Sequence, residues 1–333
     1  MRSSAQYLSS SAAAARLGVS AKALRLYEQR GLVTPGRTAA GWRAYGPEDM
    51  ERAAEVVALR GIGLSLAQVS RVLAGNPAEL EAVLAAHQAK LEGDAGHLGL
   101  AIENLRRLRA RLAEGERPAV VEIVEALGKL GPVGVGFALP WPWGGEWFEL
   151  NTLRPITYIV GPLGSGKTRL AKRIAEELPD GVFLGLERKR GNAGNSAAVD
   201  RALGWLLEEG ATVSDALVAL LQGIDVEGAT AVVVDMVEDG LDQATQEAVI
   251  GYLRAGGAGA RPLFLMTRSS AILDLAAVGA GEAILYCPAN HSPPILVQPY
   301  PGAPGYEALE MCLATPEVRA RTAGVVAFRP QVG

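Results

Sequence analysis

The segment G-P-L-G-S-G-K-T, residues 161–168, places three glycines, a lysine and two hydroxyl residues within eight positions. Glycines allow successive backbone N–H groups to turn toward one point, where they can hold the oxygens of a phosphate group. A lysine at the seventh position pairs with the β- and γ-phosphates of a nucleotide, and the hydroxyl after it holds Mg²⁺. The predicted phosphate-binding residues are Gly161, Gly164, Ser165, Gly166, Lys167 and Thr168.

The elements on either side of this loop are those that a phosphate site requires. The apolar run P-I-T-Y-I-V before the loop predicts a buried strand, and the segment that begins at Lys167 predicts a helix. A helix starting there points the positive end of its dipole at the phosphate. Strand, loop and helix together predict a P-loop nucleotide-binding domain, α/β with a mostly parallel sheet, over residues 151–333.

Two further strands bring charged residues to the same region. The run A-V-V-V ends at Asp235, and in P-loop proteins an aspartate so placed helps to hold Mg²⁺. Thr168 and Asp235 are therefore the predicted magnesium residues, and the predicted cofactor is ATP or ADP with Mg²⁺. The run P-L-F-L-M-T ends at Arg268, whose fixed cation suits contact with a γ-phosphate.

The segment D-M-V-E-D-G-L-D, residues 235–242, resembles the D-E-P-x-x-x-L-D motif of ABC-type ATPases. The likeness spans roughly residues 150–270 and implies an aromatic residue upstream of the loop that stacks on adenine. Trp143 and Trp147 fall in that window, and Trp147 is the assigned candidate. The alternative for these tryptophans is that they close the end of a strand and pack on the core.

The sequence departs from the ABC pattern where the catalytic acid is expected. Met236 occupies that position, and a thioether cannot take a proton from water. Arg268 lies next to the position of the switch histidine, and no signature of the L-S-G-G-Q type precedes residue 232. Glu238, two residues beyond Met236, is either a displaced general base or part of a solvated acidic turn. Nucleotide sensing and nucleotide hydrolysis both remain open.

The N-terminal part of the chain has a different character. Residues 1–76 carry ten basic and five acidic side chains, although the whole chain has a net charge of −4. Such a local basic excess indicates contact with nucleic acid. Residues 9–33 predict two short helices joined by a turn at Gly18, with Ser20 as the cap of the second helix. Gly- and Pro-bounded residues 34–46 predict a hairpin, followed by a third helix.

Residues 7–75 closely resemble the DNA-binding domain of the MerR family of transcription regulators. The matching motifs are L-R-x-Y-E-x-x-G-L-x-x-P-x-R, G-W-R-x-Y and R-x-x-G-x-x-L-x-x-V. The resemblance implies a winged helix-turn-helix in which a recognition helix and a wing contact double-stranded promoter DNA. The alternative is a basic helical face that only contacts solvent. The residues implied to contact DNA are Lys22, Arg25 and Tyr27 of the recognition helix and Arg37 and Arg43 of the wing.

Residues 77–114 predict a long helix with an apolar heptad seam, which Leu80, Leu84 and Leu91 illustrate. His87 and Asp94 are polar interruptions of that seam. MerR-type proteins dimerise through an antiparallel helix of this kind, so the resemblance implies a homodimer that reads two half-sites. The alternative is a helix that packs on its own chain. Residues 115–150 are interpreted as a linker and a leading aromatic segment.

Composition narrows the class of protein further. Cys287 and Cys312 are too few for a disulfide framework, and Cys287 with His291 is too small a set for a metal site. The first residues lack the apolar core of a signal peptide, and no apolar run approaches the ~20 residues of a membrane span. The expected location is the cytoplasm.

The sequence therefore predicts a multi-domain protein: an all-α winged helix-turn-helix, a dimerisation coiled-coil helix and an α/β P-loop domain. The leading hypothesis is a MerR-type regulator that couples ATP or ADP binding to operator binding or promoter distortion. Its partners would be promoter DNA, a second copy of the chain and RNA polymerase at the promoter. One alternative is an active, DNA-targeted ATPase in which Glu238 replaces the missing acid. Another is a vestigial loop beside a site for some other ligand.

Overall fold

The structure is a computed structural model that describes residues 7–38, 40–62, 64–75, 77–113, 115–116, 134–191, 194–256 and 261–322. Its N-terminal domain begins with α1 (Ser10–Leu17) and α2 (Ala21–Gln29), the predicted helix pair. The side chains of Ser9 and Ser20 cap these helices, and Gly18 ends α1 with a φ of 68°. The wing consists of β1 (Gly36–Arg37) and β2 (Arg43–Ala44), and α3 (Pro47–Gly61) and α4 (Leu66–Leu73) follow.

The core of this domain lies where α1, α2, α3 and α4 meet. Ala13 of α1 and Leu24 of α2 are fully buried there, with Val56 of α3 and Val69 of α4. The two wing strands pair antiparallel, as the hairpin prediction required, so the domain is helical apart from its wing. The recognition helix thus has one face fixed in the core and Lys22 and Arg25 on its exposed face.

A single long helix, α5 (Pro77–Ala113), follows and confirms the helix predicted over residues 77–114. The side chains of His87 and Asp94 lie outside the described residues, and so do residues 117–133 of the predicted linker and leading aromatic segment. Antiparallel pairing of α5 with a second chain stays a prediction.

The C-terminal domain is built on a six-stranded sheet. Its strands are β5 (Ile156–Val160), β6 (Gly181–Leu184), β7 (Ala231–Val234), β8 (Leu263–Met266), β9 (Glu282–Tyr286) and β10 (Ile295–Leu296). Their order is β10-β9-β5-β8-β7-β6, in which only β10 runs antiparallel to its neighbour. The predicted mostly parallel sheet is therefore present. A separate antiparallel pair, β3 (Val135–Ala138) and β4 (Trp147–Leu150), precedes it.

Both faces of the sheet are covered, as parallel sheets require. Alternate residues of each strand face opposite cores: Tyr158 and Leu265 face one, and Ile159 and Phe264 face the other. The first core is closed by α7 (Ala197–Glu209), α8 (Asp215–Ile224) and α9 (Gln243–Arg254). The second is closed by α6 (Lys167–Glu177) and the β3–β4 pair. The short helices α10 (Tyr306–Glu310) and α11 (Pro316–Thr322) follow β10.

This topology decides where the predicted site residues meet. Strands β5, β7 and β8 are neighbours and run parallel, so their carboxyl ends share one edge of the sheet. The glycine-rich loop, Asp235 and Arg268 follow those three strands. Ligands of open parallel sheets bind at this edge. Among the residues that the structure describes, no helix combines the length and apolar character needed to cross a membrane.

Replacement of Phe264 tests the second core. Its ring is fully buried between the sheet and α6. We expect Phe264→Ala to lower the free energy of unfolding of the C-terminal domain by about 3–5 kcal/mol, because it removes buried contacts and leaves a cavity. Urea unfolding followed by tryptophan fluorescence measures the change. Leu207→Ala, at a side chain 52% exposed on α7, is the control and should change it by less than about 1 kcal/mol. Equal losses in the two variants would contradict this core.

Candidate functional site

The glycine-rich loop, residues 161–166, passes very close to other parts of the backbone. Gly161 has a φ of 157°, and a Cβ built on it would lie 2.4 Å from the carbonyl oxygen of Cys287. Gly166, the residue before α6, has a φ of 92°, and its Cβ would lie 2.6 Å from the ring of Trp143. Side chains other than hydrogen do not fit at either position. The loop therefore depends on glycine at both ends.

Lys167 lies inside this loop. Its Nζ donates to the carbonyl oxygens of Gly161 at 2.7 Å and Pro162 at 2.6 Å, and the residue is 8% exposed. Burial, and secondarily the neighbouring Arg268, lower the pKa of the Lys167 ammonium. No carboxylate lies within hydrogen-bonding distance of Nζ among the described residues. A phosphate group would supply the negative charge that this buried cation lacks.

Thr168 and Asp235 meet beside the loop. The Thr168 hydroxyl lies 3.4 Å from Oδ2 of Asp235, at the carboxyl end of β7. Asp235 is only 5% exposed, and its burial raises the pKa of the carboxyl group. A hydroxyl beside a desolvated carboxylate is an oxygen donor set of the kind that Mg²⁺ prefers, and a cation there would favour the charged carboxylate. The residues present therefore fit the predicted magnesium.

Arg188 supports the segment after β7 and was not predicted. It donates to the backbone carbonyl oxygens of Asp235 at 2.8 Å and Met236 at 2.9 Å. Met236 adopts a left-handed φ of 44°, which non-glycine residues rarely do, and these two bonds hold it there. The sequence contains no signal for Arg188, because it is one of several charged residues in a segment 47 positions from its partner.

Glu238 is buried, so the expectation that it belongs to a solvated acidic turn is wrong. The residue is 3% exposed, whereas its neighbour Asp239 is exposed. Oε1 of Glu238 accepts the backbone N–H of Arg268 at 2.9 Å and forms an ion pair with Arg319 of α11. The partner cation lies 81 positions away, which is why the local sequence did not reveal the burial. Oε2 has no hydrogen-bond partner among the described residues.

Arg268 therefore has its backbone fixed by Glu238. Its guanidinium is close enough to Lys167 to affect that pKa, and its Nε is buried without a hydrogen-bond partner among the described residues. Two neighbouring cations, of which Lys167 contacts only neutral oxygens and Arg268 has an unpartnered Nε, create a site suited to an anion.

Of the three tryptophans near the loop, one is buried beneath it and two are exposed. Trp143 is 5% exposed, packs under Gly166 and donates its indole N–H to the carbonyl of Ser292 at 3.0 Å. The packing alternative is thus confirmed for Trp143. Trp147 is 68% exposed on β4, where its ring lies across Gly136. Trp141, which the sequence did not single out for stacking, lies over the guanidinium of Arg169 at 4.5 Å, beside the start of α6.

The residues implied to contact DNA are at the surface, except one. Lys22 and Arg25 are exposed on α2, but Tyr27 is 6% exposed and burial raises the pKa of its phenol. In the wing, Arg43 and Arg37 both form ion pairs with Glu28. These two guanidinium groups are thereby fixed side by side on the wing.

Comparison with known proteins assigns this N-terminal part of the chain. The profile of the MerR HTH family of regulatory proteins matches residues 8–76. A heavy metal-dependent transcription regulator of Rhizobium meliloti is 34% identical over 108 residues, which are 30% of this chain and 74% of that protein. The chain belongs to the MerR family. MerR regulators bind promoter DNA, typically as dimers.

Two solved structures are similar to parts of this chain at a low level. A MerR family regulator lacking the sensor domain, bound to promoter DNA, is 22% identical, with a TM-score of 0.29, over 33% of this chain and 92% of that chain. A putative metal-chelate type ABC transporter in an inward-facing conformation is 15% identical, with a TM-score of 0.34, over 53% of this chain and 86% of the other. Likeness at this level assigns no activity to the C-terminal domain of this MerR protein.

Substitution of the loop glycines tests the packing beneath the loop. Gly166→Ala should destabilise the C-terminal domain by more than the ~1–2 kcal/mol of left-handed strain, because its Cβ also collides with Trp143. Gly164→Ala is the matched control, with a φ of 80° and nothing within 4 Å of its Cβ. Thermal unfolding compares the two variants. Equal destabilisation would show that Trp143 does not lie under the loop.

The thiols test the same region. Burial raises the pKa of the Cys287 thiol to about 12, whereas Cys312 is partly exposed. We expect a thiol reagent at pH 8 to modify Cys312 and to leave Cys287 unmodified until the protein is unfolded. Because the unfolded Cys287 thiol ionises near ~8.5 and the folded one only at about 12, its contribution to stability is present below ~8.5 and is lost progressively as pH rises toward 12. Rapid modification of Cys287 in the folded protein would contradict its packing against Gly161.

Proposed function

We propose that this MerR-type transcription regulator binds ATP or ADP with Mg²⁺ in its C-terminal domain and couples nucleotide occupancy to promoter binding or distortion. One observation carries the proposal: a buried lysine ammonium lies inside a glycine-rich loop without a carboxylate partner in the described part of the chain. The ammonium lies at the start of α6 and beside Thr168 and Asp235, a position suited to binding the phosphates of a nucleoside triphosphate.

The nearby side chains take separate roles in this proposal. Backbone N–H groups of residues 161–168 and the ammonium of Lys167 bind the phosphates. Thr168 and Asp235 hold the magnesium ion, which when bound offsets the negative charge of the phosphates. Arg268 contacts the terminal phosphate and so distinguishes ATP from ADP. The exposed ring of Trp147 is the predicted support for the base, and the ring of Trp141 lies over Arg169 of α6.

A continuous set of contacts leads from this site to the DNA-binding domain. The segment after Asp235 ends at Asp242, whose side chain caps α9. Within α9, Oε1 of Gln246 accepts the hydroxyl of Ser269 at 2.6 Å, next to Arg268. Glu247, the following residue of α9, forms an ion pair with Lys22 of the recognition helix at 2.7 Å. Nucleotide controls DNA binding through this route only if its affinity differs between the two DNA-binding states.

Hydrolysis is the second candidate function, with Glu238 as general base. The observation in its favour is the buried Oε2 atom without a hydrogen-bond partner, which is free to accept a proton. The ion pair with Arg319 and the hydrogen bond from Arg268 commit the other oxygen, and Met236 occupies the usual position of the acid. We therefore favour sensing over hydrolysis.

The heavy-metal dependence that names the Rhizobium meliloti relative has no counterpart in the described part of this chain. No three His, Cys, Asp or Glu side chains gather there as a metal site would require. The effector that we propose is a nucleotide, because of the buried ammonium of Lys167 in its glycine-rich loop.

Lys167→Ala tests nucleotide binding directly. Loss of a charge-assisted hydrogen bond should weaken binding of a fluorescent ATP analogue by about 10–100-fold. Lys172→Ala, which removes a cation from the same helix near Phe183, is the control and should bind as the wild type does. Equal affinity of Lys167→Ala and wild type would leave the loop as a vestige and overturn the proposal.

Coupling is tested with a duplex that the protein selects from a random-sequence library. Binding is measured with no nucleotide, with ADP, with ATP and with a non-hydrolysable ATP analogue. We expect at least one nucleotide state to change the affinity, and this change should disappear in Lys167→Ala. Identical affinity in all four conditions would exclude nucleotide-controlled DNA binding.

Single-turnover assays distinguish the sensor from the ATPase. We expect ATP to be bound without turnover above background. A measurable rate that collapses in Glu238→Gln would instead establish Glu238 as the general base and favour the alternative.

A further inference from the structure

The C-terminal end of α7 contacts the DNA-binding domain through two adjacent acids. The Glu209 carboxylate, 4% exposed, accepts hydrogen bonds from Arg60 at 2.7 Å and from the backbone N–H of Leu66 at the start of α4. Glu208 accepts the hydroxyl of Ser65 at 2.6 Å, and its other oxygen pairs with Arg71 at 3.3 Å. These contacts join residues far apart in sequence, and they fix α4 against α7.

Arg30, directly after the recognition helix, contacts the same end of α7. Its guanidinium donates to the backbone carbonyl oxygen of Glu209 at 2.7 Å. Gly210, with a φ of 95°, makes this approach possible, because a Cβ there would lie 2.7 Å from the Arg30 nitrogen. Arg60 also lies over the ring of Trp205, 5.4 Å from its centroid.

The chemistry of this junction resembles that of a DNA phosphate contact. A helix C-terminus carries partial negative charge, and Glu208 and Glu209 add two carboxylates to it. The groups of the DNA-binding domain that contact this end of α7 are arginines, a serine hydroxyl and a backbone N–H at a helix start. Those are the groups with which proteins hold phosphate oxygens.

A second contact lies at the recognition helix itself. Lys22 pairs with Glu247 of α9, and a cleft of about 440 Å³ separates the exposed face of α2 from the C-terminal domain. Lys22 and Arg25 line one side of this cleft, and Glu247 and Asp274 line the other. To read base edges, a helix enters a major groove about 12 Å wide, flanked by phosphate backbones. A duplex cannot enter so small a space, so α2 cannot reach a major groove in this arrangement.

We propose that the acidic surface of the C-terminal domain formed by Glu208, Glu209 and Glu247 is a docking surface for the protein's own DNA-binding domain, and that it competes with DNA. The structure shows the docked arrangement. DNA binding then requires release of α2 and α4 from α7 and α9. The inference concerns the family-assigned DNA-binding domain, and it holds whether or not nucleotide is the ligand that controls release.

The first experiment removes the acids of the docking surface in the full-length protein. The triple variant Glu208→Gln, Glu209→Gln and Glu247→Gln is compared with the triple variant Asp180→Asn, Glu227→Gln and Glu310→Gln. The control acids are exposed, belong to the same domain and change the net charge equally, and their described contacts include none with the DNA-binding domain. Binding of a fluorescent duplex of random sequence is measured at one fixed salt concentration.

We expect the docking-surface variant to bind DNA about tenfold more tightly than the control variant. The apparent DNA affinity is the affinity of the undocked form multiplied by the fraction of protein that is undocked, and loss of the acids raises that fraction. Equal affinity of the two variants, or tighter binding by the control variant, would overturn the proposal. Circular dichroism establishes that both variants are folded.

Hydrogen exchange on the wild-type protein gives a second test that no variant can confound. The Leu66 amide donates to Glu209 in the docked arrangement. Addition of saturating random-sequence duplex should accelerate exchange of residues 64–73 while it protects α2. Continued protection of residues 64–73 in the DNA complex would contradict competition. If ATP alone does not change the exchange of residues 64–73, that result counts against nucleotide control but does not contradict the docking surface.

Discussion

The buried ammonium of Lys167 imposes the organisation of the C-terminal domain around it. It is desolvated and bonded only to neutral oxygens of its own loop in the described structure, an arrangement that is costly unless an anion completes it. The loop can enclose the lysine only because Gly161 and Gly166 allow Cys287 and Trp143 to approach. The parallel sheet then brings Asp235 and Arg268 to the same edge.

Local features of this chain were predictable because their causes are local. Ser20 caps α2, alternating apolar residues form buried strands, and the glycine pattern forms the loop before α6. The MerR motifs likewise identified the winged domain. The supports of the site were not predictable, because Arg188 and Arg319 are 47 and 81 positions from the groups they contact. Only the fold brings such pairs together, and it moved Glu238 from an expected surface turn into the interior.

The two domains were likewise predictable from local sequence features, whereas the contact between them was not. The charge pattern of the sequence separates a basic N-terminal region from an acidic remainder, and the motifs of each region predict a different ligand. Neither pattern predicts the contact between Arg60 and Glu209, which are 149 positions apart. Through this contact the acidic C-terminal domain binds the basic N-terminal domain of the same chain. A transcription regulator whose two halves are complementary in charge can lower its own affinity for DNA without any second protein.

Arg30 and Lys22 limit how such a protein can evolve. Each is a cation near or on the recognition helix, and each is engaged by an acid-bearing helix of the C-terminal domain. On the proposal that Lys22 contacts DNA, a substitution that strengthens its contact with phosphate also strengthens its contact with Glu247 of α9. Affinity for the promoter and the tendency to stay closed therefore cannot drift independently at this position. Selection can change promoter affinity and docking separately only at the acids Glu208, Glu209 and Glu247. On this proposal they hold the docked arrangement and do not contact DNA.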